Sequence, residues 1–503
     1  MSSLTDFWRF SLFGLKMIKE LLSFTGRYRI LHLTWFAFFL TFVCWFNFVP
    51  FATTVAKQLA LTDTQVKTLA ICNLALTIPA RIIIGMLLDK FGPKVTFSSL
   101  LVFAIVPCFG TALAQDFNQL VISRLLMGLV GSGFVVGIRM VAEWFEPKEI
   151  GFAEGIYGGW GNFGAFGAKF GLPLVAMSLA GAVGGASGWR WTIALTGIIA
   201  AIYGVIYYNN AQDTPDGVVY LKPKKASALE VTSIRSFWAM MVMNLGLICA
   251  LELLNWQLFN VKFLSETAMW IVGLLIALLY VYQSYQAWQV NRELLQNQRS
   301  YDGNSRYQFR QVALLEFTYV VSFGSELASV SMLPSFFEKT FGLEATIASL
   351  LAASYSFLNL GSRPSGGIIS DRFGSRKWSL VFFCMGIGLS YLVLSKVNSS
   401  WAIGGAIVAV MASAYFAQAG CGATFGMVPL IKREVTGQIS GNVGAYGNFG
   451  GVVYLTVLSF SNASTFFAVM GTMALICGFL CSFFLLEPKF QHQAIPEIMP
   501  TIG

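Results

Sequence analysis

Charge and histidine are what this 503-residue chain has least of: Asp, Glu, Lys and Arg together supply 11% of it, and histidine occurs twice. A soluble domain needs roughly a quarter of its residues charged, so the first scarcity excludes one. The two histidines, His32 at the edge of an apolar run and His492 near the C-terminus, are badly placed for a central proton relay or a histidine-based metal site. The eight cysteines (Cys44, Cys72, Cys108, Cys249, Cys384, Cys421, Cys477 and Cys481) lie in apolar runs without paired-ligand spacing. Even Cys477 and Cys481, one helical turn apart, have no histidine or second pair nearby, so all eight read as small buried hydrophobes and no metal is expected. A phosphate-binding loop and a Ser-x-Gly nucleophile setting are also missing from the pattern, which argues against an enzyme and calls for no cofactor.

Apolar residues are what the chain has in excess: 56% hydrophobic, 45 phenylalanines and a mean hydropathy of +0.67. The expected fold is an all-α polytopic membrane protein with the lipid bilayer as its environment. Apolar runs of spanning length fall near 31–52, 66–88, 95–114, 119–142, 151–178, 191–209, 237–259, 268–288, 311–337, 345–370, 379–396, 401–430, 438–460 and 464–486, about fourteen spans in all. The net charge of +9 invites a nucleic-acid reading, but most of the 33 lysines and arginines fall in loops on one side if the N-terminus is inside. That charge is therefore a topology signal, with both termini cytoplasmic in a cell (inner or plasma) membrane, and no nucleic acid is expected. Residues 1–30 read as a basic amphipathic segment on the cytoplasmic surface, and 487–503 as a cytoplasmic tail.

Two stretches far apart repeat each other. Ala80-Arg-Ile-Ile-Ile-Gly-Met-Leu-Leu-Asp-Lys-Phe-Gly-Pro-Lys94 matches Ser362-Arg-Pro-Ser-Gly-Gly-Ile-Ile-Ser-Asp-Arg-Phe-Gly-Ser-Arg376, so Arg81 answers Arg363 and Asp89 answers Asp371. One six-helix half, 31–209, is thus a copy of the other, 311–486. Between them, 210–310 is a linker carrying an inserted hairpin at 237–288, either a pair of spans or a re-entrant or surface hairpin, since Asn244, Glu252, Asn255 and Gln257 interrupt its first member. Each repeated arginine lies roughly 12 Å of helix inside its span, near mid-membrane. Two cations held there by symmetry are costly unless they face a common polar cavity whose occupant is an anion. Lys169, Arg139 and Arg124 are also within spans: pairing with a carboxylate such as Glu143 or Glu154, or snorkelling, accounts equally well for Lys169 and Arg139, and Arg124 reads as a gating or helix-packing residue.

A second duplicated element sharpens the substrate. Gly151-Phe-Ala-Glu-Gly-Ile-Tyr-Gly-Gly-Trp-Gly-Asn-Phe-Gly164 matches Gly437-Gln-Ile-Ser-Gly-Asn-Val-Gly-Ala-Tyr-Gly-Asn-Phe-Gly450. The glycine rhythm flattens one helix face for close backbone approach. Packing explains the glycines but not Asn162 and Asn448, whose amides near mid-membrane offer donors to an oxyanion.

At these residues the chain resembles the nitrate/nitrite porter family of the major facilitator superfamily. The Asp-Lys-Phe-Gly and Asp-Arg-Phe-Gly loops (89–92 and 371–374) are similar to the superfamily's loop motif, and the stretches 158–165 and 444–451 are similar to the family's nitrate signatures. The resemblance implies the major facilitator fold, two pseudo-symmetric six-helix halves, and import of nitrate, with nitrite as a second substrate. It also implies that Arg81 and Arg363 clamp the anion with Asn162 and Asn448 beside them. The stretch Tyr319-Val-Val-Ser-Phe-Gly-Ser325 resembles the first helix of the family's second half, which implies Tyr319 as a donor and Phe323 as a wall. The inserted hairpin departs from the usual twelve-helix pattern and resembles cyanobacterial members.

Coupling is less legible. Importing a monoanion against an inside-negative potential needs more than one co-transported positive charge, which favours proton symport. The candidate proton carriers are Glu316, Glu326 and Glu154, with Glu143 a further candidate that a role as structural partner of Arg139 accounts for equally well. Nitrate/nitrite exchange is the alternative, and a nitrate sensor on a transporter scaffold a third. A cytoplasmic regulatory protein is the further partner expected.

Overall fold

The computed structural model describes residues 20–183, 187–222, 228–299, 301, 307–372 and 374–488. The basic N-terminal segment and the C-terminal tail expected from the sequence lie largely outside these residues. The described residues are built from helices, and their apolar sequence explains why: a chain that buries its backbone away from water satisfies every N–H and C=O only in helices or closed barrels.

Twelve of the helical runs among the described residues are long and apolar enough to cross a membrane: Gly26–Gln58, Asp63–Phe91, Pro93–Leu113, Phe117–Trp144, Gly188–Asn210, Ile234–Asn260, Glu266–Val290, Phe309–Phe341, Arg376–Leu394, Ile403–Leu430, Thr436–Phe460 and Ala463–Phe484. The apolar runs read near 151–178 and 345–370 are also helical, as Ile150–Asn162 with Gly164–Val183 and as Ala345–Phe357 with Asn359–Arg372. They are not among the twelve, so the exact count of about fourteen is not confirmed. These runs carry Asn162 and Arg363, and the Arg363 helix buries Asn359, Ser362 and Ser370 beside its arginine.

The insert forms two long helices, Ile234–Asn260 and Glu266–Val290, rather than a short re-entrant piece. The first is tied into the body: Tyr446 donates to the Met243 carbonyl at 2.6 Å and Gln257 donates to Thr68 at 3.4 Å. The second contributes only Ala287 and Val290 to the buried set and turns Trp270, Leu274, Leu278 and Tyr282 outward, as a helix bathed in acyl chains does.

The two halves meet along their glycine faces. A Cβ on Gly155 would come within 2.8 Å of the Arg363 carbonyl oxygen, and one on Gly441 within 2.7 Å of the Arg81 carbonyl oxygen. Each signature helix therefore lies backbone to backbone against the arginine helix of the opposite half, a distance only glycine permits. The same crossing explains the duplicated aspartates. Asp89, ending the Arg81 helix (Thr77–Phe91), accepts from the Gly437 and Gln438 amides at 3.2 and 3.0 Å; Asp371, ending the Arg363 helix (Asn359–Arg372), accepts from those of Gly151 and Phe152 at 3.2 and 2.8 Å. Each carboxylate thus caps the N-terminus of a helix in the other half, where free N–H groups and the helix dipole favour a negative charge.

Candidate functional site

The arginine helices and the signature helices place their polar side chains at one level between the halves. Arg81 and Arg363 are both buried, and both guanidinium carbons lie over the Phe323 ring, 5.0 and 5.4 Å from its centroid. One phenyl ring therefore touches both cations, the arrangement that cation–π attraction favours in a dry setting.

The two cations are not equivalent. Arg363 donates from Nε to Asn359 at 2.9 Å and from Nη2 to Glu326 at 2.8 Å, and Asn359 itself donates to the other Glu326 oxygen at 2.7 Å. This closed triad neutralises Arg363. Arg81 donates from Nη1 to the Gly444 carbonyl at 2.7 Å, while its Nε and Nη2 are buried with no hydrogen-bond partner among the described residues. The residue matching Asn359 in the first half is Thr77, whose hydroxyl is taken up by the Asn73 and Gly128 carbonyls at 3.0 and 2.8 Å. A guanidinium with open donors in a water-poor interior is the group an anion satisfies.

Aromatic rings wall this space. Tyr319 stacks on Phe323 at 4.9 Å, meets Phe425 edge-on at 4.8 Å and lies 6.1 Å from Phe134, which also approaches Arg81 at 5.6 Å. The Tyr319 hydroxyl is buried, makes no close hydrogen bond among the described residues, and sits in the field of both arginines. Tyr319 immediately precedes a π-helical turn, Val320–Gly324, that contains Phe323. Such turns widen the helix and redirect side chains at functional positions, and Ser322 and Ser325 bond back to the Thr318 and Val321 carbonyls at 2.7 and 2.6 Å to keep the loosened backbone satisfied.

Asn162 and Asn448 occupy matching places, buried, each donating to the carbonyl one turn earlier (Gly158 at 2.7 Å, Gly444 at 3.3 Å) and each leaving its own carbonyl oxygen without a partner among the described residues. The second N–H of each amide remains for a ligand. Gly158 and Gly444 make room for the arginines: a Cβ on Gly158 would lie 3.4 Å from Arg363 Nη1, and one on Gly444 3.0 Å from Arg81 Cδ. Replacing Asn162 or Asn448 by alanine is expected to weaken nitrate binding roughly fivefold, the worth of one net hydrogen bond, with membrane abundance unchanged. Equilibrium binding of labelled nitrate checks this, and normal binding with poor abundance would make both amides structural.

Of the three candidate proton carriers, the structure brings only Glu326 into contact with an arginine. Among the described residues, neither oxygen of buried Glu154 has a hydrogen-bond partner, nor does Oε2 of buried Glu316. Arg139 pairs with Glu143 at 2.8 Å and donates to the Leu221 carbonyl at 2.8 Å, a structural role. Arg124 donates to Asn47 and to the Trp45 carbonyl at 3.2 and 2.7 Å, bracing helix ends. Phe134, Phe425 and Asn359 were not singled out from the sequence. Asn359 had a signal, since it stands one helical turn before Arg363; the two phenylalanines, among 45, had none beyond the nearby glycines.

Comparison with known proteins agrees with this architecture. The major facilitator superfamily profile matches residues 34–302 and 315–500. The nitrate/nitrite transporter NrtP of Nostoc punctiforme is 68% identical, covering 94% of this chain and 95% of its own length; the NrtP protein of a Picosynechococcus strain is 51% identical over 96% and 98%. The chain belongs to the nitrate/nitrite porter family of the major facilitator superfamily. Among solved structures, the proton:xylose symporter XylE bound to 6-bromo-6-deoxy-D-glucose superimposes with a TM-score of 0.61 at 13% identity, covering 92% of this porter and 96% of XylE. At that identity the likeness is one of fold. The porter keeps the superfamily scaffold and sets into it two buried arginines on a shared aromatic ring.

Proposed function

We propose that this protein imports nitrate, and nitrite as a second substrate, across the plasma membrane by alternating access, with protons as the coupling ion and both termini in the cytoplasm. The observation that carries the reading is the buried Arg81 guanidinium with open Nε and Nη2 donors, sharing the Phe323 ring with Arg363. Nitrate is a planar monoanion with three acceptor oxygens and no donors. A guanidinium edge serves two of them and Tyr319 or an asparagine amide the third, while Phe134, Phe323 and Phe425 supply flat, dry walls. Nitrite offers the same anionic edge with one oxygen fewer, so such a site rejects it weakly. Relatives that match this chain along nearly their whole length bear the name nitrate/nitrite transporter, which supports the same substrates here.

Alternating access draws support from the paired caps. Asp89 and Asp371 fasten the two halves at the cytoplasmic ends of the arginine helices, and the glycine faces between site and caps allow one half to rock on the other. Glu326 is the carboxylate best placed for coupling, because protonating it releases Arg363 for the anion.

Charge counting favours exchange as a second reading. Arg81, Arg363 and Glu326 leave one uncompensated positive charge in the empty site and none once nitrate is bound, so the loaded porter crosses more readily than the empty one. Proteoliposomes free of internal anion decide between the two. With an inward proton gradient, labelled nitrate is expected to accumulate and the external medium to turn alkaline. Uptake that occurs only with internal nitrite or nitrate, without a pH response, establishes exchange. Binding without any flux makes the protein a sensor.

A further inference from the structure

On the far side of the site from Asp89 and Asp371, one more cation crosses between the halves. Lys169 lies about two helical turns beyond Asn162, and its ammonium donates to the Val330 carbonyl at 3.4 Å. That acceptor is created by Pro334, which stands inside the helix Ser325–Phe341. Proline has no N–H, so the carbonyl four residues earlier, Val330, is left without its helical partner. Val330 in turn follows Glu326 by one turn on the same helix face, which places the ammonium next in line to the carboxylate that holds Arg363; Glu326 is the charge whose field reaches Lys169. Beside this contact Phe163 and Phe166 of the first half pack edge-on against Phe357 of the second, at 6.1 and 5.6 Å. The seal here differs from the opposite one, where two carboxylates cap helix N-termini: among the described residues it is rings and one ammonium–carbonyl bond, which is the cheaper to open.

We propose that Lys169 is the latch of the external gate. Bonded to the carbonyl that Pro334 frees, it closes the site to the outside; released, its ammonium is the cation an entering anion meets before Arg363. The inference rests on the anion-site reading above and on cytoplasmic termini, and it assigns to Pro334 the role of supplying the acceptor.

Cys421 provides the reporter, since its Sγ is buried 4.0 Å from a Glu326 oxygen. In right-side-out membrane vesicles containing the full chain, with every other cysteine replaced, the rate at which an external membrane-impermeant thiosulfonate modifies Cys421 reads gate opening. Lys169→Met and Pro334→Ala are each expected to raise that rate on the order of tenfold, as loss of one charge-assisted hydrogen bond does. The double variant should be no faster than either alone, because both remove the same bond, and Lys169→Arg should restore the slow rate. The two single variants separate in transport. Lys169→Met should raise the KM for external nitrate severalfold, whereas Pro334→Ala, which keeps the ammonium, should leave it unchanged. Unchanged labelling in Lys169→Met, or additive effects in the double variant, overturns the latch; equal KM shifts in both variants overturn the role as entry cation. Failure of nitrate to slow labelling in the parent protein would instead refute the anion site, a result that the variant rates do not affect.

Discussion

Lysine in place of Arg81 or Arg363 is expected to lower nitrate transport roughly a hundredfold at Arg81 and at least about tenfold at Arg363, with normal amounts of protein in the membrane. Charge is conserved in both variants, so the loss isolates the planar fork. At Arg81 the native side chain holds the Gly444 carbonyl with Nη1 and still presents Nε and Nη2. A lysine ammonium that bonds Gly444 has no flat edge left for a trigonal anion, and it stacks less well between Phe134 and Phe323. At Arg363 the fork spans Asn359 and Glu326 simultaneously, and a point charge on a flexible stem holds one of them at a time. Initial uptake rates normalised to membrane abundance provide the measurement. Near-parental rates in both single variants would remove the clamp from this site.

Glu326→Gln should separate coupling from binding. In the native protein the carboxylate takes Nη2 of Arg363, a donor that the proposed clamp would offer to nitrate. Glutamine keeps the size and some of the hydrogen bonding but cannot carry the negative charge or exchange a proton, so nitrate should bind about tenfold tighter. Counterflow of nitrate against nitrate should persist, while accumulation driven by an inward proton gradient should vanish. The comparison is made in one preparation of proteoliposomes, loaded with nitrate or left empty. If proton-driven accumulation survives in Glu326→Gln, the same assay on Glu154→Gln and Glu316→Gln finds the carrier among the other buried carboxylates. Survival in all three leaves those carboxylates structural.

The sequence marked several of these residues for physical reasons that need no coordinates. Arg81 and Arg363 stood out because a charge at mid-membrane is expensive and occurs twice in the same context. Asn162 and Asn448 stood out because packing accounts for every glycine around them and not for the amides. The partner of each glycine face was less legible. Repetition showed that the faces exist, but that the Gly441 face receives the Arg81 helix and the Gly155 face the Arg363 helix is a property of how the halves cross. The Arg363 helix is weakly apolar for a related reason: a helix that turns polar residues such as Asn359, Ser362 and Arg363 toward a partner loses mean hydropathy.

By itself, then, the amino-acid order determined the membrane setting, the internal duplication and the depth of the charged residues, because hydropathy, repeat spacing and helical rise are properties of a chain in one dimension. Tertiary structure alone decided the asymmetry within that duplication. Glu326 and Asn359 neutralise one arginine and leave its twin open, a single phenyl ring joins the two, and a carbonyl orphaned by Pro334 finds a lysine in the other half. Such pairings join residues on helices far apart in the chain. They depend on which faces meet and at what height, quantities that a bundle fixes through packing and that no local pattern records.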